Sequence, residues 1–171
     1  MFVSQRDWRQ VRSISQDKLG HDELHPGQAK ALQAVLEGRD TLAIMPTGGG
    51  KSAIYQIAAL MLPGPTIVVS PLISLQRDQL EAIEESELAP AAVVNSTLSA
   101  SERARAFDEL EKDLEFIFVA PEQLHNPETL EHLLAARPSS SQPLWVSAAS
   151  ERRPITQVSA RVSAMPVRRR S

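Results

Sequence analysis

"MPTGGGKSAIYQ", residues 45–56, sets three consecutive glycines directly before a lysine and a serine, and then turns apolar. Glycine loses more backbone freedom on folding than any other residue, so a triplet is costly unless bare backbone is needed there. The flanks read as regular structure: "TLAIM" (41–45) is a short apolar strand, and "KSAIYQIAALML" (51–62) is a helix ended by Pro63. A loop between strand and helix lies where open α/β sheets bind ligands, at the carboxyl ends of the strands. Gly48, Gly49 and Gly50 let backbone N–H groups converge on an anion at a helix N-terminus. Lys51 adds a point charge able to reach β- and γ-phosphates, and the Ser52 hydroxyl can ligate Mg²⁺. The strict Walker pattern has glycine at the position of Met45, so the general pattern is matched incompletely.

Working outward, the alternation repeats. Upstream, the spacing predicts a helix from about Gln28 to Glu37, with Ala29, Leu32, Val35 and Leu36 on one face and Gly38 as its stop. Downstream, "TIVVS" (66–70) reads as a strand, "LISLQRDQLEAIEES" (72–86) as a helix and "AAVVN" (91–95) as a strand. Ser99 and Glu102 have capping-box spacing ahead of "RARAFDELEK", "EFIFVA" (115–120) is a fourth strand, and Asn126-Pro127 opens a helix to about Arg137. Near-continuous apolar strands between helices predict an α/β fold, a parallel sheet covered on both faces. Parallel strands end on a common edge. The polar groups expected there, beside the glycine loop, are Ser70, Pro71 and Ser74, then Asn95 and Ser96, then Pro121 and Glu122.

The 171 residues, 42% hydrophobic, suffice for one domain with a packed core. No stretch approaches the ~18 continuous apolar residues of a membrane span. The opening "MFVSQRDWRQVRS" is charged and lacks the apolar region of a secretion signal. No cysteine is present, which excludes a disulfide partner and Cys-based zinc sites. A cytoplasmic protein without a membrane partner is expected. Residues 1–137 carry 12 Lys+Arg against 20 Asp+Glu, a net of −8, whereas residues 138–171 carry six Arg against Glu151, a net of +5. The body therefore has no general basic face, and contact with nucleic acid there must come from local donor groups. The Ser-, Arg- and Pro-rich stretch 138–171 shows neither helical nor alternating pattern and is expected to be a disordered tail.

"MPTGGGKSAIYQ" resembles the Walker A segment of the RecQ-type DNA helicases of superfamily two, in which Met-Pro-Thr-Gly-Gly-Gly-Lys-Ser is usual. Met45 thus departs from the general pattern and not from this family. "LGHDELHPGQAKALQAVLEGRDTL" (19–42) is similar to the family's opening motif, with His25 standing where the family often has arginine. "TIVVSPLISLQRDQ" (66–79) resembles motif Ia, and "VVNSTLS" (93–99) and "FIFVAPEQL" (116–124) resemble two further segments along the DNA path. The resemblance covers roughly residues 19–137, after a lead-in of residues 1–18. It implies a P-loop, RecA-like domain that holds ATP and Mg²⁺ through Gln28, Pro46, Thr47, Gly48, Gly49, Gly50, Lys51 and Ser52, with Lys51 catalytic and the metal at Ser52. The Gln28 amide would pair with adenine N6 and N7 together. Single-stranded or forked DNA would run along Ser70, Pro71, Ser74, Asn95, Ser96, Pro121 and Glu122. The implied parent activity is ATP-driven 3′-to-5′ DNA unwinding, in DNA repair and recombination.

The family's next element is an apolar strand ending Asp-Glu-Ala-His, whose acids hold Mg²⁺ and orient the attacking water. Here "PLWVSAAS" (143–150) carries an apolar run without that ending. The sequence is therefore expected to hold an incomplete domain, cut short before the acids and without the second RecA-like domain. A tail translated out of frame would explain the change after Arg137, since a one-base shift of codons for Pro-Asp-Tyr gives Pro-Ile-Thr, as at Pro154–Thr156. Such a chain is expected to hydrolyse ATP poorly. The other readings are a non-catalytic nucleotide- or DNA-binding remnant and a different P-loop enzyme or RNA helicase.

Overall fold

The computed structural model describes residues 3–46, 48–110, 114–136, 144–149 and 155–161. A first helix, α1 (Gln5–Ser13), runs into a π-helical turn (Ile14–Lys18) and is followed by α2 (Pro26–Leu36). Then come β1 (Thr41–Pro46), α3 (Lys51–Ala59), β2 (Thr66–Val69), α4 (Ile73–Glu85), β3 (Ala91–Val94) and α5 (Ala100–Leu110). The chain continues through β4 (Phe116–Val119), a 3₁₀ turn (Pro121–His125), α6 (Pro127–Ala135), β5 (Leu144–Ala149) and β6 (Ile155–Arg161). The helices and strands expected between residues 28 and 137 all form, with ends shifted by a few residues.

Local chemistry sets several of these ends. Ser4 caps α1 in a capping box with Asp7, each side chain meeting the other residue's backbone N–H. The expected Ser99–Glu102 box forms at α5, with Ser99 N–H donating to the Glu102 carboxylate at 2.8 Å and Glu102 N–H to Ser99 Oγ at 3.3 Å. Asn126 Oδ1 accepts from Glu128 N–H at the start of α6.

The strand order is β1-β6-β5-β2-β4-β3. β2 pairs in parallel with β4 and β5, and β4 with β3. β6 is antiparallel to both neighbours, β1 and β5, so β1 runs in the same direction as the parallel set. Five strands therefore end on one edge, as a ligand-binding α/β sheet requires. One core packs α1, α2, α3 and Ile83 of α4 against Val68, Phe116, Phe118 and Val146. The opposite face packs Ala106, Phe107 and Leu110 of α5 and Leu133 of α6 against Ile67, Val94, Ile117 and Val119. That second layer leaves Leu42 and Ile44 of β1 exposed, at 59% and 55%.

Two stretches of the expected tail are among the described residues. Residues 144–149 and 155–161 are strands, and they stand between β1 and β2. Their places are set by backbone ladders: residues 144–149 pair with β2 and β6, and residues 155–161 with β1 and β5, which satisfies their N–H and C=O groups. The rest of 138–171, and Thr47 of the glycine loop, lie outside the described residues.

Candidate functional site

The loop after β1 enters α3 through Gly50, which serves as the helix N-cap in the left-handed region (φ 64°, ψ 33°). Gly48 is left-handed too, at φ 77°. Only glycine takes these angles without strain. Gly49 is needed for space: its N–H donates to Pro46 O at 3.0 Å, and a Cβ there would lie 2.9 Å from the same oxygen. A Cβ at Gly50 would run into Gln28 Nε2. The first N–H groups of α3 have no partner within the helix, so the loop presents donors and a positive dipole end together.

Lys51 folds beneath this loop. Its Nζ donates to Pro46 O at 2.7 Å and to Met45 O at 3.3 Å, and partial burial lowers its pKa from the usual lysine value. Both partners are neutral carbonyls. An anion at the loop would be the stronger partner for the ammonium, because a charge-assisted bond is about twice as strong as a neutral one. Ser52, on the first turn of α3, is half-buried beside it. The cradle, the cation and the hydroxyl fit a Mg²⁺-nucleoside triphosphate.

Gln28 is 3% exposed and fully engaged with protein. Its Oε1 accepts from His25 N–H at 2.7 Å, and its Nε2 donates to Gly50 O at 2.9 Å and Gly49 O at 3.4 Å. In this geometry the amide supports the phosphate loop. Gln28 thus lies against the glycine loop, through contacts that spacing alone does not reveal.

Beyond β2 and β3 the strand-end residues divide into two groups. Pro71, Ser74, Ser96 and Glu122 are exposed on the sheet edge and Pro121 is half-buried, whereas Ser70 and Asn95 are only 2% and 3% exposed. Asn95 Nδ2 donates to Gln76 Oε1 at 3.0 Å, and Asn95 Oδ1 accepts from Thr97 N–H and Oγ1 at 3.0 and 2.6 Å. Gln76 Nε2 donates to Ser70 O at 2.8 Å. Ser70 and Asn95 thus lie beneath the edge, and Pro71, Ser74, Ser96 and Glu122 are exposed on it.

Sequence reasoning missed Gln76 and Tyr55. Gln76 is fully buried and shares the inner face of α4 with Ile83. A lone amide on an apolar helical stripe was the available signal. Tyr55, 4% exposed in the middle of α3, donates its hydroxyl to Gln79 Oε1 at 2.6 Å. Burial raises its pKa well above the usual phenol value, opposed in part by a hydrogen bond from Ser52. Among the described residues, no group of three or more His, Asp or Glu side chains is placed to hold a metal ion. No helix among them is long and apolar enough to cross a membrane.

Residues 25–142 match the DEAD/DEAH box helicase family. The chain is 43% identical over 116 residues to the ATP-dependent DNA helicase RecQ of Bacillus subtilis (strain 168), covering 67% of this chain and 20% of that protein. It is 38% identical over 114 residues to the probable ATP-dependent DNA helicase RecS of the same organism, covering 67% and 23%. To the ATP-dependent DNA helicase Q-like 5 of Arabidopsis thaliana it is 40% identical over 116 residues, covering 65% and 12%. The chain spans less than a quarter of the length of each of these relatives.

Proposed function

The chain belongs to the DEAD/DEAH box helicase family, with RecQ-type helicases among its relatives, and on that premise we propose that it binds Mg²⁺-ATP at the 45–52 loop and single-stranded DNA along the adjoining sheet edge. The observation that carries this reading is the loop itself. Two left-handed glycines, a third whose Cβ position is filled, and Lys51 converge at the N-terminus of α3, on the edge where β2, β3 and β4 also end. Lys51 would hold the β- and γ-phosphates, Ser52 would ligate Mg²⁺, and Gln28 would keep the loop in register. Bound Mg²⁺ would neutralise the phosphate charge and polarise the γ-phosphoryl group. Pro71, Ser74, Ser96, Pro121 and Glu122 are the edge residues placed to meet a DNA strand, where hydroxyls and helix-start N–H groups suit phosphate oxygens.

Turnover by this chain is proposed to be slow. Phosphoryl transfer needs an acid to fix the metal and a group to orient water. β5 ends on the nucleotide edge in "LWVSAA", with neither within it. DNA unwinding would be the work of a whole helicase of this type, in the cytoplasm or nucleoid.

Titration of a fluorescent ATP analogue with Mg²⁺ tests the binding reading. Lys51→Ala should weaken binding by roughly ten- to a hundredfold, the equivalent of losing about 1.5–3 kcal/mol of charge-assisted contact. Equal affinity in parent and variant would remove the phosphate role. Phosphate release at about 1 s⁻¹ or faster with oligonucleotide present, within the ordinary enzyme range, would contradict slow turnover.

A further inference from the structure

Helix α4 presents two glutamines one turn apart, and they reach in different directions. Gln76 grips the ends of two strands, through Ser70 O at 2.8 Å and Asn95 Nδ2 at 3.0 Å. Gln79 reaches the other way and accepts the Tyr55 hydroxyl of α3 at 2.6 Å. Tyr55 lies four residues after Lys51 and three after Ser52, so it stands on the same helix face one turn below the phosphate loop. Its ring meets Phe116 of β4 edge-on, with centroids 6.3 Å apart and planes at 73°. Wedged there, the ring cannot turn without disturbing the core, and a shift of the first turn of α3 carries the hydroxyl with it.

We propose that the part-buried Tyr55–Gln79 hydrogen bond is a positioning pair that couples the phosphate loop to the Ser70–Gln76–Asn95 cluster under the sheet edge, so that ligand at one changes affinity at the other. The inference rests on the nucleotide- and DNA-binding reading above. The short bond joins two rigid helices, and a buried hydroxyl deprived of its acceptor is costly, so α3 and α4 move together. Gln76 then passes any displacement of α4 to the carbonyl of Ser70 and the side chain of Asn95, which set the edge carrying Pro71, Ser74 and Ser96. Coupling of this kind is reciprocal: DNA on the edge must alter nucleotide affinity by the same factor that nucleotide alters DNA affinity.

The test uses the full chain with Mg²⁺, a fluorescent ATP analogue and a single-stranded oligonucleotide. Analogue Kd is measured with and without saturating oligonucleotide for the parent, Tyr55→Phe, Gln79→Leu and the double variant. The ratio of the two Kd values should be about fivefold or more in the parent. It should fall to within about twofold of unity in each single variant, with no further change in the double. A merely structural role would lower melting temperature and leave the ratio where it was, so melting curves accompany each titration. A parent that binds both ligands without coupling, or either single variant that melts as a folded protein and keeps the parent's ratio, overturns the inference and leaves the binding reading intact. A parent that fails to bind either ligand overturns the binding reading, and the inference with it.

Discussion

Gly50→Ala is the substitution whose consequence can be worked furthest from the geometry. Gly50 sits at φ 64°, ψ 33°, and a residue with a Cβ is disfavoured there by about 1–2 kcal/mol. The added Cβ also runs into Gln28 Nε2, which is held by Gly50 O at 2.9 Å in a nearly solvent-free position. Displacing that amide forfeits a neutral hydrogen bond, a further ~0.5–1.5 kcal/mol. The expected total is about 1.5–3.5 kcal/mol, a large share of the ~5–15 kcal/mol that stabilises an ordinary domain. Urea unfolding followed by circular dichroism reads the parent, Gly50→Ala, Gln28→Ala and the double variant. With Gln28 truncated nothing remains to collide with. Gly50→Ala should then cost only the conformational ~1–2 kcal/mol, a non-additivity of about 0.5–1.5 kcal/mol. An identical cost in both backgrounds would show that the collision does not occur and that Gln28 does not support the loop.

Gln28→Ala should weaken binding of ATP and GTP analogues alike, since both ends of the amide are committed to His25 N–H and the loop carbonyls; competition titrations showing a loss confined to ATP would restore a base-reading role. Glu115, directly before β4, has its pKa raised from 4.5 to about 6 by burial, so the fold favours its protonated form. That contribution is fully present below about 4.5 and is lost as pH rises through about 6. Glu115→Gln should therefore raise the unfolding free energy from urea titration at pH 7 by up to ~1 kcal/mol after solvent screening, and change it little at pH 4; equal shifts at both pH values would refute the burial effect. Thr66 is fully buried in β2, with no hydrogen-bond partner for its Oγ1 among the described residues. Thr66→Val should therefore stabilise by about 1 kcal/mol, and a loss of stability would reveal a partner for the hydroxyl.

The sequence by itself determined whatever depends on neighbours along the chain. The strand–loop–helix at 41–59 was legible because three glycines before a lysine and serine are intelligible only where backbone must be bare and turned left-handed, as Gly48 and Gly50 are. The capping box at Ser99 and Glu102 and the Asn126 cap were legible for the same reason, since a cap needs only residues two or three apart. Tertiary structure alone decided what depends on partners distant in sequence. Gln28 was expected to face a base, yet its nearest acceptors are carbonyls 21 and 22 residues away, brought over it when α2 packs on α3. Ser70 and Asn95 follow strands, as the sequence indicates, but the amide hydrogen-bonded to both comes from Gln76 of α4, which no local pattern specifies. The apolar run within 143–150 was legible, but its place beside β2, and that of residues 155–161 between it and β1, came from backbone pairing between remote segments, which satisfies N–H and C=O groups. Hydrogen bonds and burial between remote segments are properties of the packed chain, and no local pattern carries them.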